Sequence, residues 1–326
     1  MAVALVLALL PARSLAALPI AFGVQMAPDM PYDEVVAAWK HVEELGYDSI
    51  WLNDHFTPVM GNADQPQYEA WTLLAALARQ TKRARIGILV SGNTYRNPAL
   101  LAKEAVTVDH ASGGRLSLGI GAGWHEPEHV AYGFEFYTEE ERAARLGEAL
   151  EVITRLFRGG HPTFTGKYYQ LADAPFAPAP LQKPYPPMVV GGQGKKWIMP
   201  IVAKYADEWN VPVGVSPDGV RKRLELLRAE CERIGRSPCV RDVSVFLALA
   251  NLSSIPLAGP ATRLGARAIV GKKVARSVLA GSPAEVEARI REYVDAGATS
   301  VIITTRPGYK PALLKQFSEE VVPHFR

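Results

Sequence analysis

Short apolar segments alternate with longer helical segments along the chain from Pro19 onward, eight of each. The short segments have the length and β-rich composition of strands, whereas the longer ones repeat apolar residues every three or four positions. Such alternation predicts parallel strands joined by helices, and eight units can close into a (β/α)8 TIM barrel. A doubly wound open sheet is the alternative fold. The predicted strands are Ile20–Gln25, Ser49–Asn53, Arg85–Ser91, Arg115–Gly121, Met188–Gly191, Glu208–Val211, Val243–Ala250 and Thr299–Thr304. The predicted helices are Tyr32–Leu45, Tyr68–Gln80, Pro98–His110, Glu139–Phe157, Lys195–Tyr205, Asp218–Ile234, Pro283–Ala296 and Pro311–Val322.

Two connections are longer and less regular than the rest, and we expect them to be insertions at the carboxyl-terminal face of the strands. Gly159 to Pro187 is rich in proline and leads to the fifth strand, and Asn251 to Ala280 separates the seventh strand from the last repeat. Long irregular connections in a compact domain are usually binding loops or mobile segments. Both are therefore expected to shape a substrate pocket within a single barrel domain over residues 18–326.

Residues 1–17 are not counted as part of this domain. Met1 to Leu10 is apolar, and Ser14-Leu15-Ala16 resembles a signal-peptide cleavage site. A secretory signal begins with a positively charged segment, but no Lys or Arg precedes the apolar run here. A misassigned start codon is therefore the other interpretation. The run is shorter than the roughly 20 residues that span a bilayer, and no membrane attachment is expected.

Composition narrows the class of protein. Of the 326 residues, 48% are hydrophobic and 21% charged, which is ordinary for a soluble globular enzyme. A net charge of +3 without a Lys/Arg block gives no reason to expect a nucleic-acid partner. The two cysteines, Cys231 and Cys239, are too few for a disulfide framework, so the reducing cytoplasm is the expected location.

The fourth predicted strand ends in a glycine-rich run that includes Gly121 and continues into His125-Glu126-Pro127-Glu128-His129. Glycines there let the backbone approach a ligand. The continuation matches the zinc-protease pattern H-E-x-x-H, which needs both histidines on one face of a helix. Pro127 belongs in the first turn of a helix, so His129 would lie on that helix and His125 before it. Ligand contacts without a metal are therefore favoured over zinc, and polar loop residues without any ligand remain the alternative.

Polar side chains follow the second and third predicted strands, where parallel barrels place their chemistry. Asn53, Asp54 and His55 end the second strand, and an Asp beside a His can hold its tautomer or supply acid–base function. Ser91 and Asn93 end the third strand. A capping Asp with a packed His, and plain turn chemistry after the third strand, are the structural alternatives.

The fifth predicted strand ends in Gly191-Gly192-Gln193-Gly194-Lys195 and leads into a helix. Backbone N–H groups at a helix start, exposed by glycines and supported by lysines, form an anion cradle. Lys196 stands where a P-loop would need Ser or Thr, so this is not a Walker A motif. A phosphate site is favoured, with a plain tight turn as the alternative.

These segments, taken in order, carry a family resemblance. Together they resemble the bacterial-luciferase-like oxidoreductases, and within them the branch that depends on the deazaflavin coenzyme F420; the resemblance covers nearly all of residues 19–326. The matching segments are Asn53-Asp54-His55, Val90–Pro98, Leu118–Trp124 with Glu128, Val189–Gly194, Ala206–Asn210 and Gly281-Ser282-Pro283.

The resemblance implies a TIM barrel that binds a flavin-type cofactor, with its phosphate near Gly191–Lys195. It implies a non-proline cis peptide near Leu89-Val90-Ser91, under the ring. It places His55 with Asp54 beside the ring and gives Ser91 and Asn93 hydrogen bonds to the ring edge. It also implies a homodimer.

One position departs from the family pattern. The sugar-phosphate dehydrogenases of this branch have a Glu soon after the glycine-rich run, where this chain has Trp124. Glu128 is then the candidate acid or ring contact, with His55 and Asp54 as the other candidate catalytic residues. The predicted function is hydride transfer between coenzyme F420 and a small organic substrate. The alternatives are an FMN-dependent monooxygenase that uses dioxygen and a partner flavin reductase, and a flavin-binding barrel without turnover.

Overall fold

The computed structural model describes residues 19–326 except 61, 254–257 and 306–307. The strands are β1 (Ala21–Met26), β2 (Ser49–Leu52), β3 (Arg85–Ile88), β4 (Ser91–Gly92), β5 (Leu116–Gly121), β6 (Phe164–Thr165), β7 (Gln170–Leu171), β8 (Met188–Gly191), β9 (Glu208–Val211), β10 (Asp242–Leu252), β11 (Val278–Gly281) and β12 (Ser300–Thr304). The α-helices are α1 (Tyr32–Glu44), α2 (Ala70–Leu77), α3 (Pro98–Ser112), α4 (Glu126–Ala131), α5 (Glu139–Phe157), α6 (Ile198–Tyr205), α7 (Pro217–Arg233), α8 (Ala258–Ala275), α9 (Pro283–Asp295) and α10 (Pro311–Glu320).

Eight parallel strands form a closed ring in the order β1, β2, β3, β5, β8, β9, β10 and β12. The ring closes because β12 pairs with β1, while β10 pairs with both β9 and β12. The predicted (β/α)8 barrel is confirmed, and the open sheet is wrong. The short strand β4 follows β3 and pairs with β5, and β11 pairs with the second half of β10.

The barrel interior is packed around an indole. Trp51 is buried there in a cluster whose other members include Leu89, Val189 and Ile302. At Gly87 a Cβ would lie 2.5 Å from the Trp51 ring, so the neighbouring strand can carry only glycine beside this side chain. The interior of a TIM barrel is a filled core rather than a pore, and the carboxyl ends of the strands are left as the face for a site.

Local signals set the helix boundaries well. Ser282 caps α9, Pro283 stands in its first turn, and the Glu285 side chain accepts a hydrogen bond from the Ser282 N–H, which completes a capping box. The helix ends before Gly297, whose φ of 106° suits glycine. Asn97 likewise caps α3 through its side-chain oxygen. By contrast, α6 begins at Ile198 rather than at the predicted Lys195.

The prediction of two irregular connections needs correction. Gly159 to Pro187 carries only the small hairpin of β6 and β7, as an irregular segment would. The Asn251 to Ala280 segment, however, continues β10 and contains α8 and part of β11. Three glycines and a proline obscure the helical pattern of α8, and at Gly271 the backbone leaves helical geometry with a φ of 78°.

Cys231 and Cys239 form a disulfide with their Cα atoms 5.4 Å apart. Two cysteines are too few for a disulfide framework, so this bond was not predicted from composition. Among the helices in the described part of the chain, none is long and apolar enough to cross a membrane. The predicted leader, residues 1–17, lies outside the described residues.

Candidate active site

His55 is paired with Glu128 at the carboxyl-terminal face of the barrel. The His55 Nδ1 lies 2.9 Å and 3.1 Å from the two carboxylate oxygens of Glu128. The loop after β2 carries His55, and α4 carries Glu128, whose second oxygen also accepts the N–H of Phe56 at 3.1 Å. Glu128 is buried, whereas His55 keeps part of its surface exposed. The structure therefore brings together two of the three predicted catalytic residues.

Asp54 is not part of this pair, and the expectation that it partners His55 is wrong. Its two oxygens accept hydrogen bonds from Arg96 at 2.6 Å and 2.7 Å, and one also accepts the N–H of Gly92 at 3.0 Å. Arg96 also contacts Glu69 at 2.5 Å. Burial opposes the charge of Arg96, but its hydrogen bonds with Asp54 and Glu69 raise the pKa of the guanidinium. Asp54 thus ties the β2 loop to the segment after β4.

The helix α4 places the two histidines of the zinc-like pattern apart, as Pro127 predicts. His125 precedes the helix, while His129 lies on it, fully buried, and bonds through Nε2 to Thr94 at 2.6 Å. Burial lowers the pKa of His125, with His55 contributing and Glu128 opposing. No group of three or more metal-ligating side chains occurs in the described part of the chain.

Trp124 forms an exposed aromatic wall beside His55. Its side chain is 66% exposed, and its ring centroid lies 5.6 Å from that of His55 in an edge-to-face arrangement. The His125 ring lies 5.0 Å from the indole and 5.8 Å from His55. An exposed indole at the mouth of a barrel offers an apolar surface to a ligand.

The peptide bond between Leu89 and Val90 is cis, at the position that the resemblance implies. Gln25 donates from Nε2 to the Leu89 carbonyl oxygen at 3.0 Å and so links the ends of β1 and β3. The Ser91 side chain is fully buried and accepts a hydrogen bond from Trp71 Nε1 at 3.0 Å. Ser91 therefore links β4 to α2, and its hydrogen bond to the ring edge stays a prediction.

Several buried polar atoms at the strand ends have no hydrogen-bond partner among the described residues. Both amide atoms of Asn53 are unpartnered, as are Asn93 Oδ1, Gln25 Oε1 and Thr304 Oγ1. Leaving a buried donor or acceptor unsatisfied costs about 1–3 kcal/mol, so a set at one end of a barrel indicates a ligand that completes it. The polar edge of a flavin-type ring has the donors and acceptors that amides bind, and these residues fit such a group.

Two predicted cofactor-binding glycines have another role in the structure. A Cβ at either Gly121 or Gly191 would lie 2.8 Å from Val90 Cγ2. These glycines therefore make room for the Val90 side chain, which lies against the ends of β5 and β8. The sequence indicates a close approach at these glycines, and in the structure the Val90 side chain makes it; their contact with a cofactor stays a prediction.

The loop Gly192–Lys195 has the features of an anion cradle. Within the described part of the chain, the N–H groups of Gln193, Gly194 and Lys195 donate to no protein acceptor, and the Lys195 side chain is exposed. Trp209 Nε1 donates to the Gly192 carbonyl at 2.8 Å and holds the loop from below. Free N–H groups before a helix, with a lysine beside them, favour a phosphate.

Arg223 on α7 is a further residue of this cradle that sequence reasoning did not find. Its Nε donates to the Gln193 carbonyl oxygen at 2.9 Å, and the guanidinium lies against the loop. Arg96, Gln25 and Thr304 were likewise missed, although Gln25 and Thr304 end predicted strands, which was the available signal. Arg223 and Arg96 lie outside the strand ends and carry no local signal.

Comparison with known proteins places the chain in a family. A family model described as luciferase-like monooxygenase matches residues 13–252. An F420-dependent glucose-6-phosphate dehydrogenase of Amycolatopsis mediterranei (strain U-32) is 31% identical over 315 residues, which cover 87% of this chain and 92% of that protein. A 5,10-methylenetetrahydromethanopterin reductase of Archaeoglobus fulgidus (strain ATCC 49558 / DSM 4304 / JCM 9628 / NBRC 100126 / VC-16) is 29% identical over 268 residues, 81% of this chain and 72% of that protein.

Solved structures with a similar fold also include an F420-dependent enzyme. The solved structure of an F420-dependent secondary alcohol dehydrogenase, in complex with an F420–acetone adduct, superposes with a TM-score of 0.82 at 19% identity, covering 94% of this chain and 99% of that one. Since the family model matches well over half of the residues, this chain belongs to the luciferase-like monooxygenase family of enzymes.

Proposed function

We propose that this protein is an oxidoreductase that transfers a hydride between coenzyme F420 and a small organic substrate. The observation that carries the proposal is the His55–Glu128 pair at the end of the barrel where both amide atoms of Asn53 and the Oδ1 of Asn93 lack partners. The F420-dependent relatives support the choice of cofactor. Coenzyme F420, when bound, supplies the ring that exchanges the hydride.

His55 is the proton-handling residue of this proposal. An ionised carboxylate only accepts hydrogen bonds, so the His55 Nδ1 that faces Glu128 carries a proton and the neutral ring keeps its lone pair at Nε2. Nε2 can therefore take the hydroxyl proton of an alcohol, or return it during reduction of a carbonyl. Glu128, itself held by the Phe56 N–H, fixes this tautomer and stabilises the imidazolium. Asp54 is a positioning residue of the same loop.

The remaining residues of the proposed site form two groups, one for the ring of the cofactor and one for its phosphate. Asn53 and Asn93, with their unpartnered amide atoms, would hold the polar edge of the ring, next to the backbone of Leu89 and Val90. The Gly192–Lys195 loop would hold the phosphate through its free N–H groups.

Trp124 favours a particular kind of substrate. The exposed indole beside His55 offers an apolar surface where a sugar phosphate would need polar partners. We therefore propose an alcohol and carbonyl pair with an apolar body, and glucose 6-phosphate is the competing substrate. The two are separated by comparing F420 reduction with 2-propanol or a longer secondary alcohol and with glucose 6-phosphate.

The central experiment measures cofactor binding and turnover in matched variants. His55→Ala should lower kcat at least 100-fold, and Glu128→Gln about 10- to 100-fold, while the Kd for F420 changes less than about threefold, because positioned acid–base groups contribute on this scale. Glu126→Gln, an exposed carboxylate at the start of the same helix, is the control and should leave both quantities unchanged. Full turnover in His55→Ala would remove His55 from the mechanism.

The FMN-dependent monooxygenase is the second candidate, because the matching family is described by that activity. Titration of the apo protein with F420 and with FMN, followed by Trp fluorescence, separates the two. Tighter binding of F420 supports the proposal, whereas preference for FMN points to a dioxygen-using enzyme with a flavin reductase as partner. Binding without turnover of any substrate would instead support a non-catalytic flavin-binding barrel.

Three further proposals concern the whole protein. Residues 18–326 form one domain, the protein is a homodimer, and it acts on its small-molecule substrate in the cytoplasm. Sedimentation of the purified protein tests the dimer. Mass measurement of the mature protein from cells tests whether residues 1–17 are retained. Thiol labelling of the freshly isolated protein tests the compartment, since a reducing cytoplasm would leave Cys231 and Cys239 as reactive thiols rather than as the disulfide of the structure.

A further inference from the structure

The hairpin of β6 and β7 carries a tyrosine to the face of the barrel where the site lies. Tyr169 stands in the turn of this hairpin, and its hydroxyl oxygen lies 3.3 Å from Asn93 Nδ2. Asn93 follows β4, so this contact joins an insertion to one of the strand ends. No other residue of the hairpin has a recorded hydrogen bond to the strand-end polar groups within the described part of the chain.

The turn is fixed by a carboxylate beneath it. Glu148 on α5 accepts the N–H groups of Lys167 and Tyr168, each at 2.8 Å, and of Tyr169 at 3.2 Å. Three hydrogen bonds to one carboxylate hold the backbone of the turn against the helix. A Cβ at Gly166 would lie 2.3 Å from a Glu148 oxygen, so the close approach depends on glycine there. The position of Tyr169 is therefore set by α5.

Hydrogen-bond accounting leaves the Tyr169 proton without an acceptor. The phenol oxygen accepts a hydrogen bond from the Asn93 amide nitrogen, and the charge of Arg145 acts to lower the pKa of the phenol. A hydroxyl has one proton to donate, and no acceptor for it is recorded among the described residues. Burial raises the pKa of Tyr169 although Asn93 and Arg145 oppose this, so the group stays a protonated donor at neutral pH. Asn93 Oδ1 is unpartnered next to it.

We propose that Tyr169 is a cofactor-contacting residue whose hydroxyl donates a hydrogen bond to an acceptor atom of the bound deazaflavin ring, beside Asn93. This inference rests on the proposed function. In this arrangement the hairpin of residues 164–171 closes one side of the site, and Glu148 and Arg145 are its positioning residues. Among the described residues, the Tyr169 hydroxyl has a proton without an acceptor, and the neighbouring Asn93 Oδ1 has no donor. Together they match the alternating donors and acceptors along the edge of such a ring.

The test is Tyr169→Phe, which removes the oxygen and keeps the ring. The Kd for F420, measured by fluorescence titration, should rise about fivefold to tenfold, the value of one hydrogen bond. The absorption band of the bound deazaflavin should also shift relative to the complex of the unsubstituted protein, because the electronic structure of the ring depends on that bond. Tyr168→Phe is the matched control, since its ring stacks near Arg145 in the same turn and its hydroxyl faces Lys167; it should change neither quantity.

The outcomes are separable. An unchanged Kd and spectrum in Tyr169→Phe overturn the assignment of Tyr169 while leaving the proposed function in place. An unchanged Kd for F420 with a raised KM for the substrate overturns it too, because the hydroxyl would then contact the substrate. If the unsubstituted protein binds no F420, the proposed function fails and the assignment fails with it.

Discussion

At the scale of single residues, the geometry of the site depends on which side chain each buried carboxylate binds. Asp54 and His55 are neighbours in sequence, yet Asp54 binds Arg96 and His55 binds Glu128, which is 73 residues away. Adjacent residues of a loop often point in different directions, so proximity in sequence says little about their partners. In the structure, Asp54 therefore holds the loop after β2 through Arg96, while Glu128 orients the imidazole of His55.

Asp54→Asn should therefore reduce stability rather than chemistry. The substitution leaves the buried guanidinium of Arg96 without its bidentate partner, and removing one member of a buried pair costs about 3–5 kcal/mol of unfolding free energy. Urea denaturation measures this loss. Glu104→Gln is the control, because its carboxylate lies 3.7 Å from Arg96 and is partly exposed, and it should cost less than about 1 kcal/mol. Unchanged stability with lost turnover in Asp54→Asn would return an acid–base role to Asp54.

The residues that the sequence could predict are those whose position follows from a strand end. His55 and Asn93 stand at such ends, and the structure places both at the carboxyl-terminal face. Glu128 was a candidate only through the family resemblance, because Trp124 stands where the pattern has a Glu and Glu128 follows near the start of the next helix. Arg223 could not be found, since a lysine- and arginine-rich amphipathic helix such as α7 does not reveal which of its cations turns toward a loop.

At the scale of elements, the contact between α5 and the hairpin of residues 164–171 is the least predictable. Gly166→Ala should displace this hairpin, because the new methyl would lie 2.3 Å from the Glu148 carboxylate. We expect weaker F420 binding, by about the same fivefold to tenfold as Tyr169→Phe, through loss of the Tyr169 contact. The control is Gly147→Ala on α5, where a Cβ would meet only Ile201 at 3.9 Å and where alanine favours the helix by about 1 kcal/mol. Tight binding in Gly166→Ala would show that the hairpin does not contribute to the site.

The contrast between α9 and α8 shows why some elements follow from sequence and others do not. The capping serine, first-turn proline and terminal glycine of α9 all agree, so local physics alone defines that helix. In α8, glycines at 259, 265 and 271 and Pro260 lower the intrinsic preference for helix, and the residues form one only in its tertiary setting. Gly259 packs against β11, where a Cβ would lie 2.7 Å from the Ala280 carbonyl oxygen.

At the scale of the whole molecule, the barrel was predictable because its period is carried eight times and each unit constrains its neighbours. The packing of side chains inside the barrel was not predictable. Trp51 at the centre requires glycine at position 87 on the adjacent strand, and that match between strands is invisible to a single-strand pattern. The amino-terminal end of the barrel likewise holds charged groups that no strand pattern reveals, among them Glu208 at the start of β9 and Arg85 at the start of β3.

Glu208 makes the stability of the whole barrel depend on pH. Burial raises the pKa of its carboxyl to about 7, and Asp242, its register partner on β10, acts in the same direction, while Ser244 and Arg85 oppose. Between the unfolded value of 4.5 and about 7, the native state binds a proton that the unfolded state lacks, so the unfolding free energy falls as pH rises through this window. At 1.36 kcal/mol per unit, the total is about 3 kcal/mol.

Glu208→Gln should remove this contribution to the pH dependence of the unfolding free energy, because the glutamine amide does not bind or release a proton. Urea denaturation at intervals from pH 5 to pH 8 should then show a flatter profile than that of the unsubstituted protein, and the variant should be the more stable protein at pH 8. Glu319→Gln, an exposed carboxylate on α10, is the control and should leave the profile unchanged. Parallel profiles for Glu208→Gln and the unsubstituted protein would mean that Glu208 is ionised in the fold, and that the cations around Arg85 outweigh its burial.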